Sequence, residues 1–374
     1  MLFNVCALYI KIMNNENQTI HKSNDNLTIY GWNEKLNQLK QESIYSTLAH
    51  GRVSIVHRTC YEVISGNGLF QCELTGNMMY GKSDDELPCT GDWVIFQPFD
   101  EHKGIIVDRL PRERTLYRKK SGTVADKQAI ASYVDKAFIV QSLDDNFNVR
   151  RVERFMVQIM EENISSVLVL NKADLDFDRQ SVEEQIKHIS SQIPVFFTSI
   201  HQLETIVRLR KSISEGETVV FVGSSGVGKS SLVNALCEKP VLLTSDISLS
   251  TGKGRHTSTR REMVLMDSSG VLIDTPGVRE FGLAIDNPDS LAEVLEISDY
   301  AESCRFKDCK HINEPGCAVL EAVNTGVVDY KVYESYLTLR REAWHFSASE
   351  HEKRKKEKSF TKLVEEVKNR KANR

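Results

Sequence analysis

The sequence predicts a multidomain α/β protein, in which a small β-barrel precedes a mostly parallel sheet and a helical C-terminal part. Short strand-like runs separated by turn signals fill residues 51–112. From residue 134 onward, apolar strand patterns alternate with amphipathic helical patterns, which is typical of a sheet covered by helices on both faces. Residues 304–317 then contain three cysteines and one histidine, a combination that can bind a structural metal ion and so stabilise a small helical domain.

The overall composition is that of a soluble globular protein. The chain has 374 residues, of which 40% are hydrophobic and 27% charged, with a formal net charge of -4. Because the protein is not a polycation, any contact with nucleic acid must come from local basic patches. No apolar run reaches the ~18 residues of a membrane-spanning helix, and residues 1–13 lack the basic start and cleavage site of a signal peptide. We expect a cytoplasmic protein without a membrane partner.

Residues 1–48 are predicted to form an N-terminal extension that is partly disordered. Residues 14–30 are polar and rich in asparagine, and such segments cannot bury enough apolar surface to fold. Residues 34–42 have helical spacing and lead into the first domain.

Residues 49–115 are predicted to form an OB-fold, a small five-stranded barrel. The strand-like runs cover residues 52–56, 60–64, 69–74, 92–96 and 104–107. Turn signals separate these runs, and no helical pattern intervenes. Such barrels bind RNA in some proteins and protein partners in others. Residues 111–131, which follow, are basic and loop-like; they are expected to be a linker that is either simply solvated or in contact with phosphates.

Residues 116–284 are predicted to form a domain with a doubly wound sheet. Strand patterns occupy residues 136–140, 167–170, 194–197 and 218–222, and helical patterns occupy residues 148–162, 181–192 and 203–213. In open sheets of this type, ligands bind at the carboxyl ends of the strands. Motifs that follow these strands are therefore the candidates for a binding site.

The strongest motif lies at residues 223–231, which fit the phosphate-loop pattern G-x-x-x-x-G-K-[ST] between a strand and a helix. Glycines let successive N–H groups point at phosphate oxygens, and the start of the helix adds partial positive charge. Lys229 would reach the β- and γ-phosphates, and the Ser230 hydroxyl would ligate Mg²⁺. The predicted nucleotide-binding residues here are Gly223, Ser224, Ser225, Gly226, Val227, Gly228, Lys229, Ser230 and Ser231.

A second motif predicts which base is bound. Asn171, Lys172, Ala173 and Asp174 follow a buried strand and fit N-K-x-D, the guanine-reading motif of GTPases. The Asp174 carboxylate can accept from the N1–H and N2–H₂ groups of guanine, which adenine lacks, and so would select GTP over ATP. A surface turn is the alternative for this tetrapeptide, but a phosphate loop in the same chain favours base reading. Thr198 and Ser199, after the next strand, resemble the second base-contacting loop.

Two stretches, residues 254–259 and 272–277, have the features of switch segments. Asp274 and Gly277 belong to a D-x-P-G motif after a buried strand, where Asp274 would hold Mg²⁺ and the Gly277 N–H would meet the γ-phosphate. Thr257 lies in a hydroxyl-rich loop and is the predicted hydroxyl on the Mg²⁺ side, although a plain polar loop fits as well. Val278 stands where Ras-like enzymes carry a water-orienting Gln, so intrinsic hydrolysis should be slow. Another group must orient the water, and His256 or a partner is the candidate; the predicted catalytic residues are His256, Lys229 and Thr257.

The order of these motifs along the chain is unusual. GTPases normally run from the phosphate loop through the switches to N-K-x-D, whereas here N-K-A-D comes before the phosphate loop. The same sheet results if the old termini were joined and new ends opened elsewhere, because domain termini are often close together. The sequence therefore predicts a circularly permuted GTPase domain whose D-T-P-G switch leads directly into the C-terminal part.

The C-terminal residues 285–374 are predicted to form a zinc-binding helical domain with a basic tail. Cys304, Cys309, His311 and Cys317 would fill the four positions of a tetrahedral structural zinc, with an iron–sulfur cluster as the alternative. The tail, residues 350–374, is highly charged with helical spacing, and it is either a solvated helix or a contact for ribosomal RNA. The other cysteines are scattered and are expected to be free thiols: Cys6, Cys60, Cys72, Cys89 and Cys237.

Taken together, the permuted order and the motifs G-x-x-G-V-G-K-S-S, G-R-H-T-x-T, D-T-P-G and C-R-F-x-D-C-x-H-x-x-E-P-G-C resemble the RsgA/YjeQ family over residues 51–341. The resemblance implies a monomeric GTPase that uses GTP/GDP, Mg²⁺ and one structural Zn²⁺. It implies the 30S subunit and 16S rRNA as partners, with other assembly factors, and a role late in 30S maturation: the GTP form docks near the decoding region, and subunit-stimulated hydrolysis drives release. Two other hypotheses are a nucleotide-gated ribosome-binding module with incidental hydrolysis, and a P-loop ATPase or kinase.

Overall fold

The structure is a computed structural model, and it describes residues 27–79, 83, 85–119, 127–238, 262–266, 269–274 and 288–347. The predictions for the disordered part of the N-terminal extension, for Cys6 and for the basic tail concern residues outside this part. The fold class predicted from the sequence is confirmed: a closed five-stranded barrel, a permuted α/β sheet and a helical unit with a Cys₃His cluster.

The N-terminal segment packs on the barrel. A 3-10 turn, Leu27–Tyr30, leads into helix α1, Glu34–Glu42, as the spacing predicts. The Asn33 side chain caps α1 by accepting from the backbone N–H of Leu36 at 3.1 Å. Trp32 lies against Trp93 of the barrel, with ring centroids 4.8 Å apart. This aromatic contact fixes the segment to the barrel wall.

The barrel contains all five predicted strands. They are β1 (Ala49–Val56), β2 (Tyr61–Ser65), β3 (Gly68–Leu74), β4 (Trp93–Asp100) and β5 (Lys103–Arg109), with a short helix α2 (Gly76–Met79) after β3. The strands pair in the closed order β1-β2-β3-β5-β4-β1, in which β3 and β5 are parallel. This is an OB-like barrel. Its centre is apolar, with Val53, Val63 and Phe96 fully buried.

The α/β sheet has the strand order of a GTPase with rearranged connections. Its strands are β8 (Lys136–Ser142), β9 (Ser165–Asn171), β10 (Val195–Thr198), β11 (Thr218–Val222), β12 (Glu262–Met266) and β13 (Ser269–Asp274). They lie in the order β10-β9-β8-β11-β13-β12, parallel except for β12. The sequence did not predict β12, whose Glu262 pairs with Ile55 of β1 and joins the sheet to the barrel.

Helices cover both faces of this sheet. They are α3 (Val149–Glu161), α4 (Arg179–Gln185), α5 (Lys187–Ser190), α6 (Leu203–Lys211) and α7 (Lys229–Leu236). The prediction of one helix over residues 181–192 was wrong in detail, because the chain forms α4 and α5 with a break at Ile186. Helix α3 buries Val152, Phe155 and Met156, the apolar face that its spacing predicts.

The expectation of a structureless linker between barrel and sheet was also wrong in part. β6 (Leu116–Lys119) and β7 (Lys127–Ala131) form a two-stranded antiparallel sheet. Leu116 and Ile130 are fully buried in the same apolar cluster as α3. The Gln158 side chain of α3 donates to the Tyr117 carbonyl at 2.7 Å. The apolar residues among the Lys and Arg therefore order this stretch against the α/β domain.

The C-terminal unit is helical and packs on α3. It contains α8 (Pro288–Val294), α9 (Ser298–Glu302), α10 (Ala318–Asn324) and α11 (Tyr330–Ser347). Two ion pairs connect α3 with α11, Arg150 with Glu334 and Arg154 with Glu342. Within the described part of the chain, no helix is long and apolar enough to span a bilayer.

Candidate nucleotide-binding site and metal centre

The predicted nucleotide-binding segments meet at one edge of the sheet. Strands β10, β9, β8, β11 and β13 are parallel, so their carboxyl ends share an edge. Asn171 at the end of β9 is in register with Thr198 of β10 and with Ser142 of β8. The phosphate loop follows β11, and Asp274 ends β13 beside it. Five strand ends thus lie along one edge of the sheet, where the predicted segments meet.

The conformation of the phosphate loop depends on its glycines. Gly223, Gly226 and Gly228 have φ angles of 149°, 82° and 95°, in the region that favours glycine. A Cβ atom on Gly223 would lie 2.3 Å from the Val140 carbonyl oxygen. One on Gly228 would lie 2.3 Å from the side-chain nitrogen of Asn171. The loop therefore lies too close to its neighbours for a side chain at Gly223 or Gly228, whereas at Gly226 only the positive φ favours glycine.

Lys229 directs its charge over the phosphate loop. Its Nζ donates to the carbonyl oxygens of Gly223 and Ser224, each at 2.7 Å. Lys229 is the first residue of α7, and Ser230 and Ser231 complete the first turn. Phosphate oxygens entering the loop would compete with two neutral carbonyls for a full positive charge, which strongly favours the phosphate.

Asn171 joins the base-reading motif to the phosphate loop. Its side chain is buried, and its Nδ2 donates to the Val227 carbonyl at 2.9 Å. Its Oδ1 accepts from the Thr198 hydroxyl at 3.2 Å. One amide therefore holds together the ends of β9 and β10 and the loop after β11. If residues 171–174 read the base, Asn171 is expected to fix the distance between the base-binding segment and the phosphate loop.

Asp174 and Ser199, which belong to the two loops predicted to contact the base, also lie together. The Ser199 hydroxyl donates to Asp174 Oδ1 at 2.6 Å. This hydrogen bond lowers the pKa of the Asp174 carboxyl, so the group is ionised and can accept from guanine. Ala173, the residue before Asp174, donates its backbone N–H to the carbonyl of Thr198, the residue before Ser199, at 3.0 Å.

Asp144 is a polar residue of the cleft that the sequence did not predict. It accepts from Lys172 Nζ at 2.7 Å, from the Ser142 hydroxyl at 2.6 Å and from the backbone N–H of Asn146 at 3.0 Å. Burial alone would raise the pKa of the Asp144 carboxyl, but these hydrogen bonds outweigh it and lower the pKa to about 2. The ionised carboxylate thereby fixes the side chain of Lys172, the second residue of the predicted base-reading motif. The signal for it was the polar sequence that follows the apolar part of β8.

Four of the predicted residues cannot be placed by their side chains. His256, Thr257 and Gly277 lie outside the described residues, and Asp274 is described by its backbone alone. Their assigned roles as hydrolytic group, Mg²⁺ ligands and γ-phosphate contact stay predictions.

The C-terminal cluster has the dimensions of a tetrahedral zinc site. One ligand atom from each of Cys304, Cys309, His311 and Cys317 lies within 4.8 Å of all the others. Two sulfurs bound to one tetrahedral zinc at about 2.3 Å would lie about 3.8 Å apart, and the sulfurs of Cys304 and Cys317 are 3.8 Å apart. His311 Nδ1 is 3.4 Å from both of these sulfurs. Three of the four ligand atoms thus have the spacing of a tetrahedral zinc site, and Cys309 supplies a fourth within 4.8 Å of them, so the cluster is compatible with zinc.

Neighbouring groups orient these ligands. The Tyr333 hydroxyl donates to the His311 carbonyl at 2.6 Å, and His311 has a φ of 55°, which this bond helps to hold. The backbone N–H of Ile312 donates to the Glu314 carboxylate at 2.9 Å and that of Lys310 at 3.1 Å, which fixes the loop between the ligands. Burial and the neighbouring sulfurs of Cys309 and Cys304 raise the pKa of the Cys317 thiol, and the charge of a bound cation would favour its thiolate.

Comparison with known proteins identifies the family. The sequence model of the RsgA GTPase family matches residues 109–284. A Bacteroides thetaiotaomicron protein, small ribosomal subunit biogenesis GTPase RsgA 1, is 77% identical over 350 residues, which cover 94% of this chain and 99% of that protein. The chain belongs to the RsgA GTPase family. A second RsgA, from Methanosarcina acetivorans, is 38% identical over 88% of this chain and 90% of its own length. The resemblance predicted from the motifs is thereby confirmed, as is the enzyme class, a GTPase.

Solved structures agree with membership of the RsgA family. The crystal structure of YjeQ from Thermotoga maritima is 26% identical, with a TM-score of 0.61, and covers 79% of this chain and 98% of its own. YloQ, described as a circularly permuted GTPase, is 22% identical with a TM-score of 0.60, over 82% of this chain and 99% of its own. At 22% identity, the similarity to YloQ is evidence for the fold alone, and that fold includes the permuted order of the sheet.

A sequence model of ABC transporters also matches this RsgA-family chain, over residues 206–370. The matched stretch begins just before the phosphate loop, a feature that ATP- and GTP-hydrolysing families share. The predicted base-reading motif, residues 171–174, lies outside it. We therefore attribute the match to the phosphate loop that both families contain. It does not support the alternative of an ATPase or kinase.

Replacing one zinc ligand is expected to release the metal from the C-terminal unit. We expect Cys309→Ser to lower zinc affinity roughly a hundredfold or more and to lower the Tm, because metal binding contributes directly to the stability of such units. Metal analysis of the purified protein should give one zinc per chain for the wild type and much less for the variant. Cys60→Ser is the control, since Cys60 is a free thiol in the barrel. Equal zinc content in both variants would contradict the assignment.

Proposed function

We propose that the protein hydrolyses GTP to drive a late step in maturation of the 30S ribosomal subunit. In this proposal the GTP-bound form docks on the subunit near the decoding region, the subunit stimulates hydrolysis, and the GDP-bound form leaves. The observation that supports the nucleotide part is the 2.9 Å hydrogen bond from Asn171 to the Val227 carbonyl, because it joins the segment proposed to read guanine to the loop proposed to bind phosphate. The names of the relatives, small ribosomal subunit biogenesis GTPases, support the ribosomal part.

Magnesium and zinc have separate places in this proposal. Ser230 lies in the first turn of α7, and Asp274 ends the adjacent parallel strand, so both stand on the edge where the β- and γ-phosphates would lie. A hydroxyl and a carboxylate suit Mg²⁺, which neutralises charge that develops on the phosphates. Zinc would be held by the Cys₃His cluster, whose four ligands leave no open position, and its role would be structural.

Hydrolysis by the isolated protein should be slow. Val278 cannot orient water, so His256 or a group supplied by the subunit would have to do so. An enzyme of this kind stays in its GTP form until it reaches its partner. The same observation leaves open the alternative of a nucleotide-gated binding module, in which hydrolysis is incidental.

The segment that carries the proposed zinc ligands, residues 304–317, is a candidate surface for binding 16S rRNA. Arg305, Phe306, Lys307 and Lys310 are exposed around the metal ligands. Phe306 is 42% exposed, and the Arg305 guanidinium lies over its ring at 5.5 Å. Aromatic and guanidinium planes stack on unpaired bases, while lysines contact phosphates. We place one of the RNA contacts here, beside that proposed for the basic tail.

Sedimentation with purified 30S subunits tests this proposal. With a non-hydrolysable GTP analogue the protein should pellet with the subunit, and with GDP it should stay in the supernatant. The 50S subunit is the control for non-specific contact with RNA, and raised salt should weaken binding because phosphate contacts release counterions. Equal binding in both nucleotide states would contradict the cycle of docking and release.

A further inference from the structure

Helix α3 places an arginine behind the phosphate loop. Arg151 Nη1 donates to the Ser224 hydroxyl at 2.8 Å and to Asn146 Oδ1 at 3.1 Å. The Asn146 side chain in turn donates to Ser224 Oγ at 3.3 Å. Ser224 is the second residue of the loop and thus receives two side-chain donors from the β8–α3 connection and the start of α3.

The position of this arginine is fixed by the helix that carries it. The Asn148 side chain caps α3 by accepting from the backbone N–H of Arg151 at 3.1 Å. On the same helix, Val152 and Phe155 are buried in the apolar core. The guanidinium also donates to the Asn146 carbonyl at 3.3 Å. Arg151 is therefore a half-buried charge near the start of a helix, whereas Ser224 lies between Gly223 and Gly226, the residue type that restricts its own backbone least.

We propose that Arg151 is a positioning residue for nucleotide binding, which acts by holding Ser224 and so preorganises the N–H groups of the phosphate loop. A loop that is already ordered loses less conformational entropy when the nucleotide binds. A fixed positive charge behind the loop adds attraction for the phosphates. The inference rests on the proposed function, because it assumes that the loop binds GTP and GDP.

The neighbouring arginine is a natural control. Arg150 is on the same turn of α3, but its side chain pairs with Glu334 of α11. Both partners are largely exposed, 44% and 52%, so this pair contributes little to stability. Replacing Arg150 removes the same charge from the same helix without touching Ser224.

The release rate of a fluorescent GDP analogue tests the inference. We expect Arg151→Ala to release it about tenfold faster, because a hydrogen bond from a charged group is lost. The KM for GTP should rise by about the same factor while kcat changes less than threefold. Arg150→Ala should stay within twofold of the wild type. Arg151→Lys should be intermediate, since an ammonium on an unbranched chain cannot reproduce the planar fork.

A double-mutant cycle separates positioning from a general effect on the fold. Ser224→Ala should reproduce most of the faster release, and Arg151→Ala with Ser224→Ala should be little worse than either change alone. Additive effects, or equal release by Arg151→Ala and Arg150→Ala, would overturn the inference. If Arg151→Ala does not fold, the release rate of the GDP analogue from Ser224→Ala is compared with that from the wild type. Faster release from Ser224→Ala supports the inference, and an equal rate overturns it. If the wild type and Arg150→Ala both fail to bind GTP, the proposed function itself fails.

Discussion

Replacing Asp174 with asparagine is expected to weaken GTP binding by about a thousandfold and to create affinity for xanthosine triphosphate. A site built to pair with a substrate's donors rejects an analogue that lacks them by large factors. The asparagine would present its NH₂ to the guanine amino group, so two donors would face each other. Xanthine has a carbonyl oxygen at that position and accepts the hydrogen bond instead. The Ser199 hydroxyl, 2.6 Å from the carboxylate, can donate to the asparagine oxygen as well.

Competition binding with GTP, ATP and XTP measures this change in preference. Asp176→Asn is a matched control, because Asp176 lies two residues further on in the exposed turn after the motif. It should leave the order of affinities unchanged. If Asp174→Asn keeps full guanine selectivity, residues 171–174 do not read the base.

Replacing Lys229 with alanine is expected to reduce kcat/KM for GTP by roughly a hundredfold to a thousandfold. The ammonium is held over the loop by the carbonyl oxygens of Gly223 and Ser224, so it is in place to contact the phosphates. Charge increases on the phosphates of the leaving nucleotide in the transition state, and a fixed cation there lowers the barrier. The loss should therefore be larger in hydrolysis than in binding of GDP.

Initial rates of phosphate release, together with binding of GDP, separate the two effects. Lys211→Ala is the control, since Lys211 is an exposed lysine of α6 and has no place in the cleft. A Lys229→Ala variant that hydrolyses GTP at the wild-type rate would show that the loop does not hold the reacting phosphates.

The parts of this protein that the sequence predicted are those set by local patterns. The phosphate loop, N-K-A-D and the Cys₃His cluster each depend on residue types at short spacing. Strand and helix patterns placed these motifs on the right elements because apolar periodicity follows the backbone period. The permuted order also followed from the sequence, since it needs only the order of the motifs along the chain.

The parts that the sequence did not predict depend on which segments meet in space. Asp144 and Arg151 lie between recognisable motifs, and their roles arise only because β8 ends beside Lys172 and α3 begins beside Ser224. Strand β12 is short, and its pairing with Ile55 of the barrel is distant in sequence. The sequence around β6 and β7 is rich in basic residues, so the strand pattern around Leu116 and Ile130, which are buried in the structure, was not recognised. Each of these features depends on packing between segments that are distant in sequence, which local patterns do not contain.

The rate of GTP hydrolysis with and without purified 30S subunits tests the central claim most directly. A GTPase that lacks its own water-orienting residue and acts on the small subunit should be slow alone and accelerate by about a hundredfold or more when saturated with 30S. Mature 50S subunits should have little effect. If 30S subunits bind the GTP-loaded protein and leave the rate unchanged, the enzyme account is contradicted, and the protein is a nucleotide-gated binding module.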